Sequence, residues 1–277
     1  MAGIDAHQHF WQYDPVEYDW INQDMQRLQG DFLPQDLMPL LDEANMDGCV
    51  AVQARQTEAE NEFLLGLAKD SPQVMGVVGW LDLKADNLEE QLDHYQGDAF
   101  FKGIRHIVQG EPDPEFIIHP DFVRGVRQLG KAGLTYDILV FERQFPAVLA
   151  FLEQCPDQPF VLDHIGKPEI SGSPSRTWTE GIQVMAGHPN VYCKVSGMVT
   201  EADWSNWSTD DFKPYLDVVF EAFGPERLMY GSDWPVCLLA ADNYQQVIGL
   251  VEYYIADYSA PEKAAFFGGN AERFYKL

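Results

Sequence analysis

Eight short apolar segments recur along this chain of 277 residues, with helical patterns between them. Each segment is rich in Val and Ile and apolar on both faces, which is typical of parallel strands covered by helices on both sides. The segments begin about 32 residues apart on average, which is the length of one strand–helix unit. We therefore predict eight strands, at residues 3–9, 48–53, 74–80, 102–107, 135–140, 160–163, 191–195 and 228–231.

Amphipathic helical segments fill the gaps between these strands. The helical spacing of apolar residues is found at 35–45, 61–69, 122–132, 146–154, 212–223, 244–254 and 261–274. This alternation, without a break in composition, predicts an α/β protein: one (β/α)8 TIM barrel over residues 1–277, with its active site at the C-terminal ends of the strands. An open doubly wound sheet is the rival, but it normally carries a glycine-rich turn after its first strand. Residues 7–11 read His-Gln-His-Phe-Trp at that place, which favours the barrel.

The charge of the chain excludes two classes of partner. It carries 44 Asp and Glu against 18 Lys and Arg, for a formal net charge of −26. Such a chain lacks the cations that displace counterions from a nucleic-acid backbone, and anionic membranes repel it, so we expect neither as a partner. The acids are spread along the chain, which fits a solubilising surface or a saline habitat. Steering of a cationic substrate is the alternative.

The N-terminal sequence and the cysteine usage favour a reducing compartment. The N-terminal residues resemble no secretion signal, and no apolar run approaches the roughly 20 residues of a membrane span. The four cysteines are scattered and form no CxxC pair, and we expect Cys49 and Cys193 to be buried free thiols. We predict a cytoplasmic protein and leave its oligomeric state open.

Polar residues mark the ends of three of the predicted strands. His7 and His9 alternate at the end of strand 1, so they point to the same side and can converge on one metal ion. His164 ends strand 6, and Asp233 follows strand 8. Each alone has a plain structural alternative: two unrelated polar residues, a histidine that caps a turn, or an aspartate that begins one. In a closed barrel all four meet at one rim and form a fair ligand set for Zn²⁺ or a similar ion.

These motifs resemble a known family. Together with the strand-end residues above, four sequence motifs resemble those of the amidohydrolase-2 branch of the amidohydrolase superfamily. These motifs are IDAHQHFW, FKGIRHI, LDHIGKP and YGSDWPV. That branch contains sugar lactonases of the L-fuconolactonase and L-rhamnonolactonase type and dicarboxylate lactonases of aromatic degradation. The resemblance covers nearly the whole chain and implies a hydrolase that opens a lactone ring. It does not define which lactone.

The resemblance also bears on the metal. Binuclear members of the superfamily have a bridging Lys or Glu on strand 4 and a histidine that ends strand 5. Here strand 5 carries no histidine, and Lys102 lies at the start of strand 4, at the wrong end of the barrel. We therefore expect at most one divalent metal, with zinc favoured and its occupancy open, held by His7, His9, His164 and Asp233. No organic cofactor is implied.

Lactone hydrolysis needs an activated water, a polarised carbonyl and a proton for the leaving alkoxide. We assign Asp233 as the base that takes a proton from water and returns it to the ring oxygen. His7, His9 and His164 would either hold the metal or donate hydrogen bonds to the developing oxyanion. We expect substrate contacts from side chains near the strand ends: Arg105, His106, Gln53, Arg55, Asp137, Trp11 and Trp234. Each has an ordinary structural role as its alternative, and Lys167 and Trp204 are evenly balanced between the two.

Three other functions remain open from the sequence. A lactonase of dicarboxylate or aromatic degradation fits the same motifs, and so does a metal-dependent decarboxylase of an aromatic acid. The missing histidine of strand 5 counts against the decarboxylase. A binding or scaffold protein without catalysis is the third, and the intact set of strand-end residues counts against it. We expect a small-molecule lactone as the partner.

Overall fold

A computed structural model describes residues 3–277. Eight strands form one parallel sheet in the order β1 to β8, and each strand pairs with the next along the chain. Their bounds are β1 Ile4–Gln8, β2 Gly48–Val52, β3 Val74–Gly79, β4 Phe101–His106, β5 Thr135–Ile138, β6 Phe160–Leu162, β7 Val191–Val195 and β8 Leu228–Tyr230. All eight predicted strands are present, and the predicted (β/α)8 fold is confirmed.

Helices follow the strands in the expected alternation. Their bounds are α1 Pro34–Glu43, α2 Glu58–Asp70, α3 Leu88–Tyr95, α4 Pro120–Lys131, α5 Phe145–Gln154, α6 Arg176–Ala186, α7 Thr209–Phe223, α8 Tyr244–Tyr254, α9 Ala260–Ala264 and α10 Asn270–Tyr275. Helices α3 and α6 have no counterpart among the predicted helices. The predicted helix 261–274 is interrupted by a π-helical turn, within which Gly268 has non-helical backbone angles.

The sheet closes where β8 meets β1. His9 N donates to Trp234 O at 2.7 Å and Asp233 N donates to His7 O at 2.8 Å, so two backbone bonds join the strand ends. The carboxylate of Asp5 completes the seam, because it accepts hydrogen bonds from Ser232 N at 2.9 Å and His7 N at 3.1 Å. A side chain thus supplies the acceptor that a longer β8 would have supplied from its backbone.

The core has two parts. A large outer cluster packs the helices against the sheet, and a smaller cluster fills the barrel near its N-terminal end with Ile4, Ala6, Val50, Val52 and other strand residues. Helix α10 closes that end with Phe274 and Tyr275, which pack against this inner cluster. The C-terminal half of the barrel interior therefore remains for polar side chains.

Two further predictions from the sequence concern membrane-spanning helices and the state of the cysteines. No helix within residues 3–277 is long and apolar enough to cross a membrane. Cys49 and Cys193 are buried and free, as predicted, and so are Cys155 and Cys237. The first two residues of the N-terminal segment that we compared with secretion signals lie outside the described residues.

Asp5 provides a test of the seam. Burial raises its pKa to about 6, from an ordinary value of 3.8. We expect Asp5→Ala to lower the free energy of unfolding by about 3 kcal/mol, because Ser232 N, His7 N and Tyr244 Oη lose their acceptor. Asp5→Asn keeps an acceptor oxygen and is the matched control, to be compared by urea unfolding at several pH values.

The pH dependence of that comparison has a defined sign. The folded carboxyl holds its proton up to about pH 6, whereas the unfolded one releases it near pH 3.8. The wild-type protein should therefore lose stability relative to Asp5→Asn as the pH rises from about 4 to 6. A difference that stays constant over this range would contradict a pKa of Asp5 that is raised by burial at the seam.

Candidate active site

His7 of β1 and His9, just beyond the end of that strand, lie side by side at the C-terminal rim. Both are buried, and their Nε2 atoms are 3.3 Å apart. His9 Nδ1 lies 2.7 Å from Val52 O, a group that can only accept, so Nδ1 carries the hydrogen of this imidazole. His9 therefore presents the lone pair of Nε2 to the centre of the rim.

His164 reaches the same centre through an unusual turn after β6. His164, Ile165 and Lys167 all have left-handed backbone conformations, with φ of 54°, 49° and 48°. Such conformations cost about 1–2 kcal/mol for each non-glycine residue, and more for a β-branched one such as Ile165. The turn holds His164 Nδ1 2.9 Å from Ser196 Oγ. Strain of this kind is typical of functional sites, where the surrounding fold compensates for it.

Asp233 completes the cluster from the other side of the seam. It also has a positive φ, 58°, and its Oδ1 lies 3.3 Å from His9 Nε2 and 3.8 Å from His7 Nε2. Burial raises its pKa, but its interactions with His164 and His9 outweigh that effect and hold the pKa below its ordinary value. Asp233 is therefore an ionised carboxylate at neutral pH.

The cluster has the chemistry of a cation site. His7, His164 and Asp233 each offer one ligand atom, and these atoms lie within 4.8 Å of one another. Burial holds the pKa values of His7 and His164 well below 6.5, so both imidazoles are neutral and have a lone pair. Metal ligands must be deprotonated, and two or three imidazoles with one carboxylate suit Zn²⁺. The residues present therefore fit one divalent cation, with His9 beside the three.

A cavity of about 500 Å³ opens above this cluster. Five predicted site residues, His9, Arg55, Arg105, His164 and Asp233, line it, while His7 lies buried beneath them. The walls come from the loops that follow the strands, and they combine charged, amide and aromatic side chains: Glu17, Asp19, Trp20, Arg55, Gln56, Gln109, Glu111, Lys167 and Thr200. The cavity therefore offers both hydrogen-bonding groups and a flat apolar face to a small polar ligand.

The predicted substrate contacts separate into two groups. Arg105 and Arg55 line the cavity, although Arg55 is already paired with Glu17 and Glu60. The structure does not place the other five, Gln53, His106, Asp137, Trp11 and Trp234, in the cavity wall.

Strand alternation explains why His106 does not reach the cavity. Arg105 points into the barrel, so its neighbour His106 points toward the helices. There it stacks on Phe116 and contacts Glu111 Oε1 at 2.7 Å.

The remaining four are held inside the barrel or behind the rim. Gln53 donates to Arg105 O, and Asp137 bonds Lys194 and Tyr275 within the barrel. Trp11 and Trp234 pack on Phe32, and Trp20 supplies the aromatic wall instead.

The prediction missed two charged residues beneath the cavity. Asp163 Oδ2 accepts from Arg105 Nη1 at 3.2 Å, and Lys194 Nζ lies 3.0 Å from Asp163 Oδ1 and 2.5 Å from Asp137 Oδ2. Although burial raises the pKa of Asp163, Lys194, His7 and Arg105 together hold it well below its ordinary value. A lysine in the middle of the apolar strand β7 was the sequence signal that could have revealed this network.

Comparison with known proteins places this geometry in a family. A family model described as Amidohydrolase matches residues 4–277. The chain belongs to the amidohydrolase family. This match confirms the resemblance drawn from the strand-end motifs. The strand-end residues within those motifs meet at the rim of this amidohydrolase.

Two relatives and one solved structure match nearly the full chain. An L-fucono-1,5-lactonase of Burkholderia multivorans is 43% identical, over 99% of this chain and 96% of its own. An L-fucono-1,5-lactonase of Burkholderia ambifaria is 36% identical, over 99% and 95%. A crystal structure of a Burkholderia multivorans amidohydrolase with bound zinc is 43% identical, covers 100% of both chains and superposes with a TM-score of 0.96.

Gly197 tests whether the position of His164 matters for cation binding. A Cβ at Gly197 would lie 2.4 Å from His164 Nδ1, and φ there is 58°. We expect Gly197→Ala to displace the imidazole and to weaken Zn²⁺ binding about 10–100-fold, the usual effect of disturbing a group that supports a metal ligand.

The matched control is Gly133→Ala, at a φ of 77° with no atom within 4 Å of the added Cβ. It carries the backbone strain without the contact and should bind Zn²⁺ as the wild type does, in competition with a chelating dye. Equal affinity in Gly197→Ala and Gly133→Ala would mean that His164 is not a ligand.

Proposed function

We propose that this amidohydrolase hydrolyses the lactone ring of a sugar acid, with L-fucono-1,5-lactone or a close relative as substrate. The observation that carries the proposal is the cluster of His7, His9, His164 and Asp233 at the floor of a polar cavity. Full-length similarity to two L-fucono-1,5-lactonases supports the sugar lactone as substrate. The family, the fold and the site thus favour the same reaction.

The cavity wall suits a ring that carries several hydroxyl groups. Gln56, Gln109 and Thr200 offer neutral donors and acceptors, and Trp20 offers a flat face to the ring. A site that forms hydrogen bonds with the hydroxyls of its substrate discriminates against analogues that lack them. We propose that these loop residues select the sugar.

Asp233 is the proposed general base. Its carboxylate is ionised and lies beside the imidazoles, where it can take a proton from a water that attacks the lactone carbonyl. The same group then returns the proton to the ring oxygen as the ester bond breaks. A divalent cation, for which we propose zinc, would be held by His7, His9, His164 and Asp233 and would polarise the carbonyl and acidify the water.

We propose that Arg105 binds the carbonyl oxygen of the lactone and then the carboxylate of the product. Its guanidinium lines the cavity and is held by Asp163 and by Gln53 O. A fixed guanidinium stabilises the negative charge that develops on the carbonyl oxygen and then the carboxylate of the product. We also propose that residues 1–277 act as one domain, since the site draws on both ends of the chain.

The central experiment is a panel of aldonolactones and aromatic acids, assayed with metal-replete protein for proton release and for CO₂. We expect proton release with L-fucono-1,5-lactone and related sugar lactones, without CO₂, and at most one tightly bound divalent ion per chain. Turnover of a dicarboxylate lactone alone would support the alternative lactonase. CO₂ release would support a decarboxylase, and no lactone turnover at all would refute the proposal.

Asp233→Asn tests the assignment of the base. We expect kcat to fall at least about 100-fold, because the amide cannot accept a proton, while thermal unfolding remains close to that of the wild type. Asp210→Asn, on the exposed start of α7, is the control for removing one negative charge and should leave kcat unchanged. Activity within tenfold of the wild type in Asp233→Asn would mean that another group is the base.

A further inference from the structure

Glu111 lies in the loop that follows β4, and its side chain forms part of the cavity wall. A single 3-10 turn, Val108–Gly110, comes between the end of the strand and this residue. Glu111 N donates to Val108 O at 3.0 Å, which fixes the backbone at the end of the turn. The turn brings the Glu111 carboxylate back against the imidazole of His106, the last residue of β4.

The imidazole of His106 has a defined arrangement of its hydrogen. Trp80 Nε1, which can only donate, lies 3.2 Å from His106 Nδ1, so Nδ1 accepts that hydrogen bond. Burial lowers the pKa of His106 below 6.5, so the ring is neutral and its hydrogen is on Nε2. Nε2 then donates to Glu111 Oε1 at 2.7 Å. A buried neutral imidazole thus holds one oxygen of a carboxylate in the cavity wall.

The second oxygen of Glu111 remains available to a ligand. Within residues 3–277 the side chain makes one hydrogen bond, from His106 to Oε1, and no ion pair with a lysine or arginine. A carboxylate has about four acceptor sites, so Oε2 retains its capacity to accept. The side chain is 25% exposed, as a group that meets a ligand in the cavity must be.

The lysine and arginines of the wall differ from Glu111 because each is already neutralised by a carboxylate. The pairs are Arg55 with Glu60, Arg105 with Asp163 and Lys167 with Glu201. The partner of Glu111 is neutral, so Glu111 keeps both its charge and its free acceptor. Hydrogen bonds from hydroxyls to a carboxylate are about twice as strong as those between neutral groups, and a sugar ring offers such hydroxyls.

We propose that Glu111 is a specificity-determining residue that binds a ring hydroxyl of the sugar lactone through Oε2, and that His106 is the positioning residue that holds it. Glu111 repels the carboxylate of the product and therefore favours the orientation in which the carbonyl carbon approaches Arg105 instead. This inference rests on the proposed sugar lactone as substrate. His106 touches no substrate and acts through Glu111.

The test of the hydroxyl contact uses Glu111→Ala and substrates that lack one hydroxyl. The substrates are L-fucono-1,5-lactone and its analogues that each lack one ring hydroxyl. We expect Glu111→Ala to lower kcat/KM for the parent lactone about 10–100-fold, the effect of losing a hydrogen bond to a charged group. For the analogue that lacks the bound hydroxyl, the variant and the wild type should have the same kcat/KM.

Glu115→Ala is the matched control. Glu115 is exposed in the same loop and is not part of the cavity wall, so its removal deletes one negative charge and should leave kcat/KM unchanged for every lactone. Equal losses in Glu111→Ala for the parent and for every analogue overturn the inference alone. A wild-type protein that turns over no sugar lactone overturns the proposed function and this inference with it.

His106→Phe tests the positioning role. It keeps an aromatic ring against Phe116 and removes the donor to Glu111. We expect kcat/KM for the parent lactone to fall about 5-fold, the value of one hydrogen bond, with no loss for the analogue that is insensitive to Glu111→Ala. Added to Glu111→Ala, it should cause no further loss, because His106 acts through Glu111.

Equal losses for the parent and that analogue in His106→Phe would mean a merely structural role and overturn the assignment of His106. So would a further loss in the double variant. Thermal unfolding checks that each variant is folded. If His106→Phe does not fold, His106→Leu is measured in its place by the same criteria.

Discussion

The seam between β8 and β1 is the constraint on which the site depends. Strand β8 has only three residues and ends at Tyr230, so a regular ladder cannot close the barrel there. The closure relies on two backbone bonds at the rim and on the carboxylate of Asp5. Since one of those bonds joins Asp233 N to His7 O, closing the sheet and bringing the carboxylate to the imidazoles are the same event.

Close packing at the seam also restricts which residues can stand there. A Cβ at Gly231 would lie 2.6 Å from His7 Cβ and 3.0 Å from Ser196 Cβ, so only glycine allows β8 to approach β1 and β7 this closely. Beneath the rim, the barrel interior holds four buried charges: Arg105, Asp137, Asp163 and Lys194. Buried ion pairs of this kind contribute little to stability, because desolvation offsets their attraction. Their evident effect here is to fix the positions of the Arg105 guanidinium and the His7 imidazole.

Much of the site follows from the period of a strand and the geometry of a parallel barrel. Alternation places His7 and His9 on one side, and a shared C-terminal rim brings His164 and Asp233 to them. The same alternation separates Arg105 from His106, although the sequence predicts a substrate contact for both. Only one of two consecutive strand residues can face the barrel, and the sequence pattern does not indicate which.

The order of apolar segments was enough to predict the fold correctly, and the identity of the strand-end residues was enough to predict that His7, His164 and Asp233 meet at one rim with the chemistry of a divalent-cation site. These depend on local periodicity, which a linear sequence contains in full. Only the tertiary structure decided that Trp20 and not Trp11 faces the cavity, that Asp5 joins β8 to β1, and that Lys194 and Asp163 meet at His7. These contacts link loops and strands far apart in the chain, and their geometry exists only after the barrel has closed.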